Sequence, residues 1–296
     1  MKASVQTNFK NPHSASYLAR DIAQHFNKGS AIEGKIETTL NTLRETTGVK
    51  GLKQIDSQII EAYVATLQDR VQEGSLTRHT AETYLSALNR IIEYTNTHLN
   101  KNLETVSQKE ANLTRGSFQY VDRSVDKNTH QAFLSFLSSQ NNDIKAQALS
   151  YSVELQRAFG LRLRESLAIK QTTIQQALSV GYLHLTGQDG TKNSRPRDIP
   201  ILNEQQREIL KSVLDFQKQN NLKSLIPTQT LREQYNFAKN AENAFNKSNN
   251  DNGYYHYHGE RHFYSQERLS QGASKIEVSR ELGHNRQEVT RVYANI

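Results

Sequence analysis

The residues best suited to chemistry lie near the end of the chain, between His258 and Tyr293. This stretch reads HGERHFYSQERLSQGASKIEVSRELGHNRQEVTRVY and combines closely spaced histidines, several arginines and a late tyrosine. Guanidinium groups hold phosphate oxygens through paired hydrogen bonds, and a phenol becomes a nucleophile when its proton is removed. These side chains therefore suit a reaction in which a phosphodiester is held by cations and attacked by a phenol.

Two further cationic residues lie far upstream of this stretch. Arg162 stands in the phrase GLRLRE, and Lys192 stands in QDGTKNS, a glycine-bearing turn between two strand-like segments. A lysine in a turn is by itself an ordinary solvated residue. Together with Arg162 and the later His and Arg pair, it could donate a proton to a phosphate whose negative charge the arginines neutralise.

The histidines allow a second interpretation, a metal site built from His256, His258 and His262. The segment has no HExxH spacing, the chain contains no cysteine, and Glu260 is not placed as in a familiar zinc motif. We therefore expect no metal and no other cofactor.

The composition favours a polyanionic partner. The chain has 296 residues and a net charge of +7, with a pI near 9.4 and a mean hydropathy of -0.75. Because it contains no cysteine and no apparent signal peptide, we expect a cytoplasmic protein. No apolar run approaches the ~18 residues needed to span a bilayer, so we expect no membrane partner.

The N-terminal part is predicted to be a small helical bundle. Apolar spacing indicates helices from Ile32 to Thr46, from Asp56 or Ser57 onward, and from Thr77 to Thr95, with residues 15–27 as a possible fourth. We expect Pro12, His13 and Ser14 to break any earlier helix. The third helix has a polar face of Arg78, His79, Thr83 and Arg90, which could enter a major groove or could simply be a solvated surface.

The C-terminal part is predicted to be helical around one β-hairpin. Helices are expected at Lys127–Ser138, Ile144–Phe159, Asn203–Gln219 and Leu231–Asn246, and GLRLRESLAIK begins another. Alternation predicts strands at Gly181–Gly187 and Arg195–Ile201. The predicted fold class is mainly α with a small β-hairpin, and the expected division is a helical domain at 1–110, a linker at 111–126 and a second domain at 127–296.

These motifs, in this order, resemble the tyrosine recombinases, the family of phage integrases, Cre and the Xer proteins. The family's arginine lies in a GLRxxE context, here Arg162 with Glu165, and its hairpin lysine corresponds to Lys192. The HxxR box is His258 and Arg261, followed by His262. The LGH box ends at His284, and the tyrosine of TRVY follows at position 293.

The resemblance implies a helical, SAM-like core-binding domain at 1–110 and a catalytic domain at 127–296. It implies site-specific DNA recombination, such as integration of a mobile genetic element, through a 3′-phosphotyrosine intermediate without metal or ATP. Tyr293 would be the nucleophile, and Lys192 would protonate the leaving 5′ oxygen. The remaining catalytic and supporting residues would be Arg162, His258, Arg261 and His284, with Glu165 and His262 as support; Arg195 and Arg197 are further candidates for DNA contact.

The implied partner is double-stranded DNA, bound by a homotetramer in synapsis and by a monomer or weak oligomer when free. Two other functions stay open: DNA relaxation like that of a type IB topoisomerase, and a catalytically silent DNA-binding protein of the same fold. The sequence ends at Ile296, soon after Tyr293. We therefore expect either an unusual link between protomers or a truncated sequence.

Overall fold

The computed structural model describes residues 7–27, 29–114, 121–140, 143–249 and 253–284. Its contacts divide the chain into two compact units, Met1–Phe118 and Gln119–Ile296. Within the described residues the fold is mainly helical with one two-stranded antiparallel sheet, as the sequence predicts. The elements are α1 (Pro12–His25), α2 (Ser30–Thr47), α3 (Ser57–Gln72), α4 (Arg78–Leu99), α5 (Lys127–Ser138), α6 (Ile144–Phe159), α7 (Leu163–Ala168), α8 (Gln171–Val180), β1 (Tyr182–Leu185), β2 (Arg197–Pro200), α9 (Glu204–Gln219), α10 (Leu231–Ser248), α11 (Tyr257–Ser270) and α12 (Lys275–Glu281).

The first unit packs α1, α2, α3 and α4 around one apolar core. Leu18, Ile36, Leu40, Leu67 and Leu88 are fully buried in it. Their spacing within each helix places them on one face, so that burial of this face drives the packing. The possible fourth helix is therefore present as α1.

The expectation that Pro12, His13 and Ser14 break any early helix is wrong. Pro12 is the first residue of α1, where its missing N–H removes no helical hydrogen bond. Asn11 Oδ1 accepts a bond from the Ser14 backbone N–H at 2.8 Å, and the Asn11 N–H donates to Ser14 Oγ at 3.1 Å. This capping box starts the helix at the residue that was expected to stop it.

The stretch after α4 belongs to the first unit. The Asn89 side chain makes two hydrogen bonds with the backbone of Val106: it donates to the carbonyl at 2.8 Å and accepts from the N–H at 3.0 Å. The Asn96 side chain binds the backbone of Leu103 in the same way. Ala111 is then buried in the core of this unit. Val125, at the other end of the expected linker, is buried in the core of the second unit. The described ends of the expected linker, 111–114 and 121–126, thus contribute side chains to the first and the second core respectively.

The second unit is organised around α6, which contacts α5, α7, α9 and α11. Polar residues cap the helices: Asp126 precedes α5, Asp143 precedes α6 and Asn203 precedes α9. Gly160 ends α6 in the left-handed conformation. Because α11 packs against α6, the GLR motif that follows α6 and the HxxR motif of α11 lie close in space.

The segment expected to hold one helix after Gly160 contains two, α7 and α8. They are separated at Ile169 and Lys170, whose backbones are extended. The hairpin follows directly, and it pairs Leu183 with Ile199 and Leu185 with Arg197. The inward face of β2 is therefore formed by Arg197 and Ile199, which are both buried.

Among the helices in the described part of the chain, none is both long and apolar enough to cross a membrane.

The cap of α1 gives a first prediction. Asn11→Ala removes the acceptor of the Ser14 N–H, so the free energy of unfolding should fall by about 1 kcal/mol. Urea unfolding followed by circular dichroism measures this. Lys10→Ala, at the exposed neighbouring position, is the matched control; an equal loss in both variants would contradict the role of the cap.

Candidate active site

Arg261 joins the motifs of the second unit. Its side chain is fully buried, and its guanidinium donates to the carbonyl oxygens of Gly160 and Leu282. Its Nη2 also lies 3.2 Å from Nε2 of His284. A single cation thus connects the end of α6, the first turn of α11 and the turn after α12.

Gly160 is a glycine because of this close packing. Its φ is +61°, and a Cβ there would lie 2.5 Å from Cδ1 of Tyr264 and 3.0 Å from Cδ2 of Leu282. Any side chain would push α11 and the turn after α12 away from α6. The glycine of GLR is therefore required so that Arg261 can reach the Gly160 carbonyl.

Glu165 holds the two arginines on either side of it. Its carboxylate oxygens accept bonds from Arg197 at 2.8 and 2.7 Å, and Oε1 also accepts from Nη1 of Arg162 at 2.8 Å. Burial would raise the pKa of Glu165, but the hydrogen bonds and charge of Arg197 and the charge of Arg162 lower this pKa to about 2. Glu165 is therefore ionised and orients Arg162, whose side chain keeps 25% of its surface exposed.

Arg197 has a different position from the one expected of a DNA contact. Its side chain is only 4% exposed and pairs with Glu165 through two nitrogens. A Cβ on Gly283 would lie 3.0 Å from Cδ of Arg197, so the glycine of the LGH box leaves room for the Arg197 stem. We correct the assignment: Arg197 supports Glu165 from the inward face of β2.

Three histidines surround the arginines. Burial, followed by the charge of Arg261, lowers the pKa of His258 to about 4 and that of His284 to about 3. Burial and the neighbouring His258 and His256 lower the pKa of His262 to about 3. The charge of Arg162 also acts on both His258 and His284, which places these residues in one electrostatic environment. All three imidazoles are neutral at pH 7.

The contact with Arg261 selects the tautomer of His284. A guanidinium can only donate, so Nε2 of His284 accepts, and the hydrogen of the neutral ring lies on Nδ1. His284 is therefore suited to donate a hydrogen bond from Nδ1.

The histidine cluster is also the place where the sequence allows a metal site as an alternative. The rings of His258 and His262 make an edge contact with centroids 5.1 Å apart. Within residues 7–27, 29–114, 121–140, 143–249 and 253–284, no group of three or more His, Asp or Glu side chains is arranged to hold a metal ion.

Lys192 lies exposed on the turn between β1 and β2. This turn packs against α7, since a Cβ on Gly190 would lie 3.2 Å from Cγ of Arg164. Lys192 is therefore presented near the helix that Arg162 begins. Tyr293 falls outside the described residues, and its place as the nucleophile stays a prediction.

Of the other predicted DNA contacts, some side chains are exposed and some contact other residues of the protein. Arg195, Arg78 and His79 are exposed and Thr83 is partly exposed; the Arg78 guanidinium donates to the carbonyl of Thr114 at 3.0 Å. Arg90 is partly buried, with its guanidinium 5.4 Å from the Phe26 ring centroid. Except for Arg197, these residues stay predictions.

The sequence reasoning missed a second group of buried charges beside the site. Glu260, within the HxxR motif, pairs with Arg157 and His130, and Glu281 pairs with Arg268. Strand alternation could have identified Arg197, because it shares a face with Ile199. No pattern in the sequence indicates the pairing of Glu260 with residues more than 100 positions away.

The comparisons with known proteins show the family of the chain. A family model described as "Integrase" matches residues 116–267, which is 152 of the 296 residues. The chain belongs to the integrase family of tyrosine recombinases. No curated protein matches the sequence closely enough to count as a relative.

Solved structures of this family share the fold. The Tn1549 transposon integrase, solved with transposon right-end DNA, is 14% identical over 94% of each chain, with a TM-score of 0.63. XerH recombinase bound to its difH substrate is 17% identical over 97% of this chain and 81% of that one, with a TM-score of 0.62. A lambda integrase dimer bound to a COC′ core site is 16% identical over 97% and 78%, with a TM-score of 0.64. The expected combination of core-binding and catalytic domains is thereby confirmed as the fold class.

The lowered pKa of His284 gives a prediction for this family member. The ring is ordinarily protonated below about pH 6.5, but the folded protein holds its pKa near 3. The unfolded chain therefore binds the proton first, and stability that is complete above pH 6.5 is lost as the pH falls towards 3. His284→Gln should make the fall in unfolding free energy between pH 6.5 and 4 shallower, by at most about 1.4 kcal/mol per pH unit.

Urea unfolding at a series of pH values measures this slope. His258 and His262 contribute in the same direction, so the variant should keep part of the dependence. An identical slope in His284→Gln and the parent protein would show that His284 is not held neutral in the fold.

Proposed function

We propose that the protein is a site-specific DNA recombinase that cleaves and rejoins DNA through a 3′-phosphotyrosine. The observation that carries this proposal is the convergence of Arg162, Arg261 and His284 beside His258 in a member of the tyrosine recombinase family. Such a group can hold a phosphate and move a proton, which are the two requirements of transesterification.

Arg162 is the arginine best placed to touch a phosphate. It is partly exposed, and Glu165 fixes its guanidinium. Preorganised donors of this kind are commonly worth about 3 kcal/mol in a transition state. Arg261 is fully covered in the DNA-free protein. It contributes positive potential and fixes His284 with hydrogen on Nδ1, and direct contact with a phosphate requires the covering side chains to move.

His258 is the proposed proton acceptor. It lies at the start of α11 with part of its surface exposed, and it is neutral because desolvation by the surrounding protein and the charge of Arg261 lower its pKa to about 4. A phosphate bound beside it adds negative charge, which raises the pKa of the imidazole and makes it a better base. DNA binding itself would thus prepare the group that takes the phenol proton.

Tyr293 is the proposed nucleophile. The tyrosines close to the described site are poor candidates, since burial raises the pKa values of Tyr255, Tyr257 and Tyr264. In the reaction the phenolic oxygen forms a bond to phosphorus, the bond to the 5′ oxygen breaks, and Lys192 gives that oxygen a proton. One phosphoester replaces another, so no ATP is consumed.

The partner in this proposal is double-stranded DNA. Strand exchange requires two duplexes and four active sites, and we propose a homotetramer in synapsis and a monomer or weak oligomer when free. The solved relatives include a lambda integrase dimer on a core site and XerH on its substrate. We assign core binding to the first unit, through the α4 face that bears His79 and Thr83, and catalysis to the second.

The nucleophile can be tested with a nicked suicide DNA substrate in EDTA. The parent protein should form a covalent adduct, and Tyr293→Phe should form none because it lacks the phenolic oxygen. Tyr254→Phe is the matched control, since Tyr254 is 69% exposed, and it should react like the parent. Adduct formation by Tyr293→Phe would reject the assignment.

The role of Arg162 can be separated from DNA affinity. Arg162→Ala should lower the rate of adduct formation by about 100-fold or more, the effect of losing about 3 kcal/mol, while DNA affinity changes little. Arg232→Ala removes an exposed arginine of α10 and should leave the rate unchanged. A loss of DNA binding in Arg162→Ala would instead make Arg162 a binding residue.

A further inference from the structure

The HxxR motif contains a buried carboxylate that the proposed reaction does not use. Glu260 is fully buried, with Oε1 2.8 Å from Nδ1 of His130 and Oε2 2.7 Å from Nη1 of Arg157. Both oxygens therefore bind side chains of other helices, His130 on α5 and Arg157 on α6.

We propose that Glu260, Arg157 and His130 form a positioning cluster, which fixes the first turn of α11 so that His258 and Arg261 are held in their reactive places. The inference deepens the proposed function and rests on it where activity is measured. These residues act through His258 and Arg261 and need not touch DNA.

The cluster fixes α11 by joining it twice to the same end of α6. Arg157 lies three residues before Gly160, and it binds Glu260, while the next residue of α11, Arg261, binds the Gly160 carbonyl. Adjacent residues of α11 thus reach two points separated along α6. Two such anchors restrict rotation of the turn about its axis as well as its displacement.

The cluster also holds the segment that crosses the start of α11. Nη1 of Arg157 donates to the Val125 carbonyl at 3.1 Å, and the Val125 N–H donates to the Gly259 carbonyl at 3.3 Å. A Cβ on Gly259 would lie 2.5 Å from Cγ2 of Val125. The turn that carries His258 and Arg261 is therefore enclosed by α6 and by this segment.

Arg157 is itself fixed in place. Its guanidinium lies 3.4 Å from the ring centroid of Phe263, the residue one turn after Glu260. Its planar group is therefore held both by a ring of α11 and by a carboxylate of α11. On the other side of the cluster, Nε2 of His130 lies 3.9 Å from Glu154.

Stability alone is a poor reason for this arrangement. Desolvating a carboxylate and a guanidinium opposes folding, and apolar side chains of similar size often fill such a place equally well. Ionic hydrogen bonds are directional, and apolar contacts are not. The cluster therefore supplies orientation that an apolar interface between α6 and α11 would lack.

The test compares three variants of the full-length chain. Glu260→Gln keeps the size of the side chain and removes its charge. Arg157→Met with Glu260→Met replaces the pair with apolar groups, since methionine is smaller than arginine and close in size to glutamate; of the two sites, Arg157 lines an open 410 Å³ cavity together with His130 and Phe263. Glu242→Gln is the matched control, because Glu242 is also buried and has Lys239 at 2.7 Å.

The first measurement is single-turnover cleavage of the suicide substrate. DNA affinity and thermal unfolding are measured on the same variants. Glu260→Gln and the double variant should cleave at least tenfold more slowly than the parent and bind DNA within about twofold. Glu242→Gln should cleave at the parent rate. A folded double variant that cleaves at the parent rate would show that the pair only fills space.

The second measurement does not depend on activity. In the parent, the imidazole of His258 has a pKa near 4 instead of 6.5, and NMR titration of labelled histidines reports it. The double variant removes one charge of each sign, so loosening of the turn should move this pKa towards 6.5, and an unchanged titration in the folded double variant would overturn the proposal. If the parent forms no adduct, the proposed function fails, and this titration still decides whether the cluster positions His258.

Discussion

The buried guanidinium of Arg261 is the interaction on which the site depends. It ties together three motifs that are far apart in sequence, because it donates to the carbonyl of Gly160, to that of Leu282 and towards His284. Two of these acceptors are backbone atoms at the ends of helices, where carbonyl groups lack intrahelical partners. One side chain thus satisfies the ends of two helices and sets the distance between them. The glycine at 160 follows from the same contact, since a larger residue would separate the helices.

A second group of ionic contacts, centred on Glu165, connects the site to the β-hairpin. The carboxylate binds Arg162 at the start of α7 and Arg197 on β2, and it stays ionised because those arginines more than offset the cost of burial. Gly283 packs on the stem of Arg197, so the hairpin is also in contact with the turn that Arg261 holds. The glycines of the GLR and LGH motifs therefore allow neighbouring segments to pack closely, and the charged residues beside them fix the orientation of the site. The cost of burying these charges is offset only when every partner is present.

The depressed histidine pKa values follow first from burial and then, for His258 and His284, from this concentration of arginines. Positive charge and burial both disfavour imidazolium, so the protein without DNA keeps neutral rings next to fixed cations. Such an environment is complementary to a phosphate, whose negative charge would relieve the repulsion. The same groups that prepare the site for a phosphodiester therefore lower the stability of the empty protein in acid.

The sequence by itself determined most of the helices, the hairpin and the residues proposed for the site. Apolar periodicity placed α5 and α6 at their observed bounds, and the short motifs identified Arg162, His258, Arg261 and His284. It failed where local rules compete, as at Pro12, which a capping box turned from an expected break into a first helical residue. Apolar periodicity also gives no sign of contacts made by side-chain amides, such as those of Asn89 and Asn96 with the backbones of Val106 and Leu103 in the first unit.

Only the tertiary structure decided which charges meet. From its charge alone, Arg197 is expected to contact DNA. The pairing of β1 with β2 instead directs its side chain inward to Glu165. Glu260 pairs with Arg157 and His130, which are more than 100 positions away in sequence, and these contacts arise when α11 packs beside α5 and α6. Residue types and spacing specify local geometry and chemical capability. The pairing of buried charges depends on contacts between distant segments, and these form only when the helices pack.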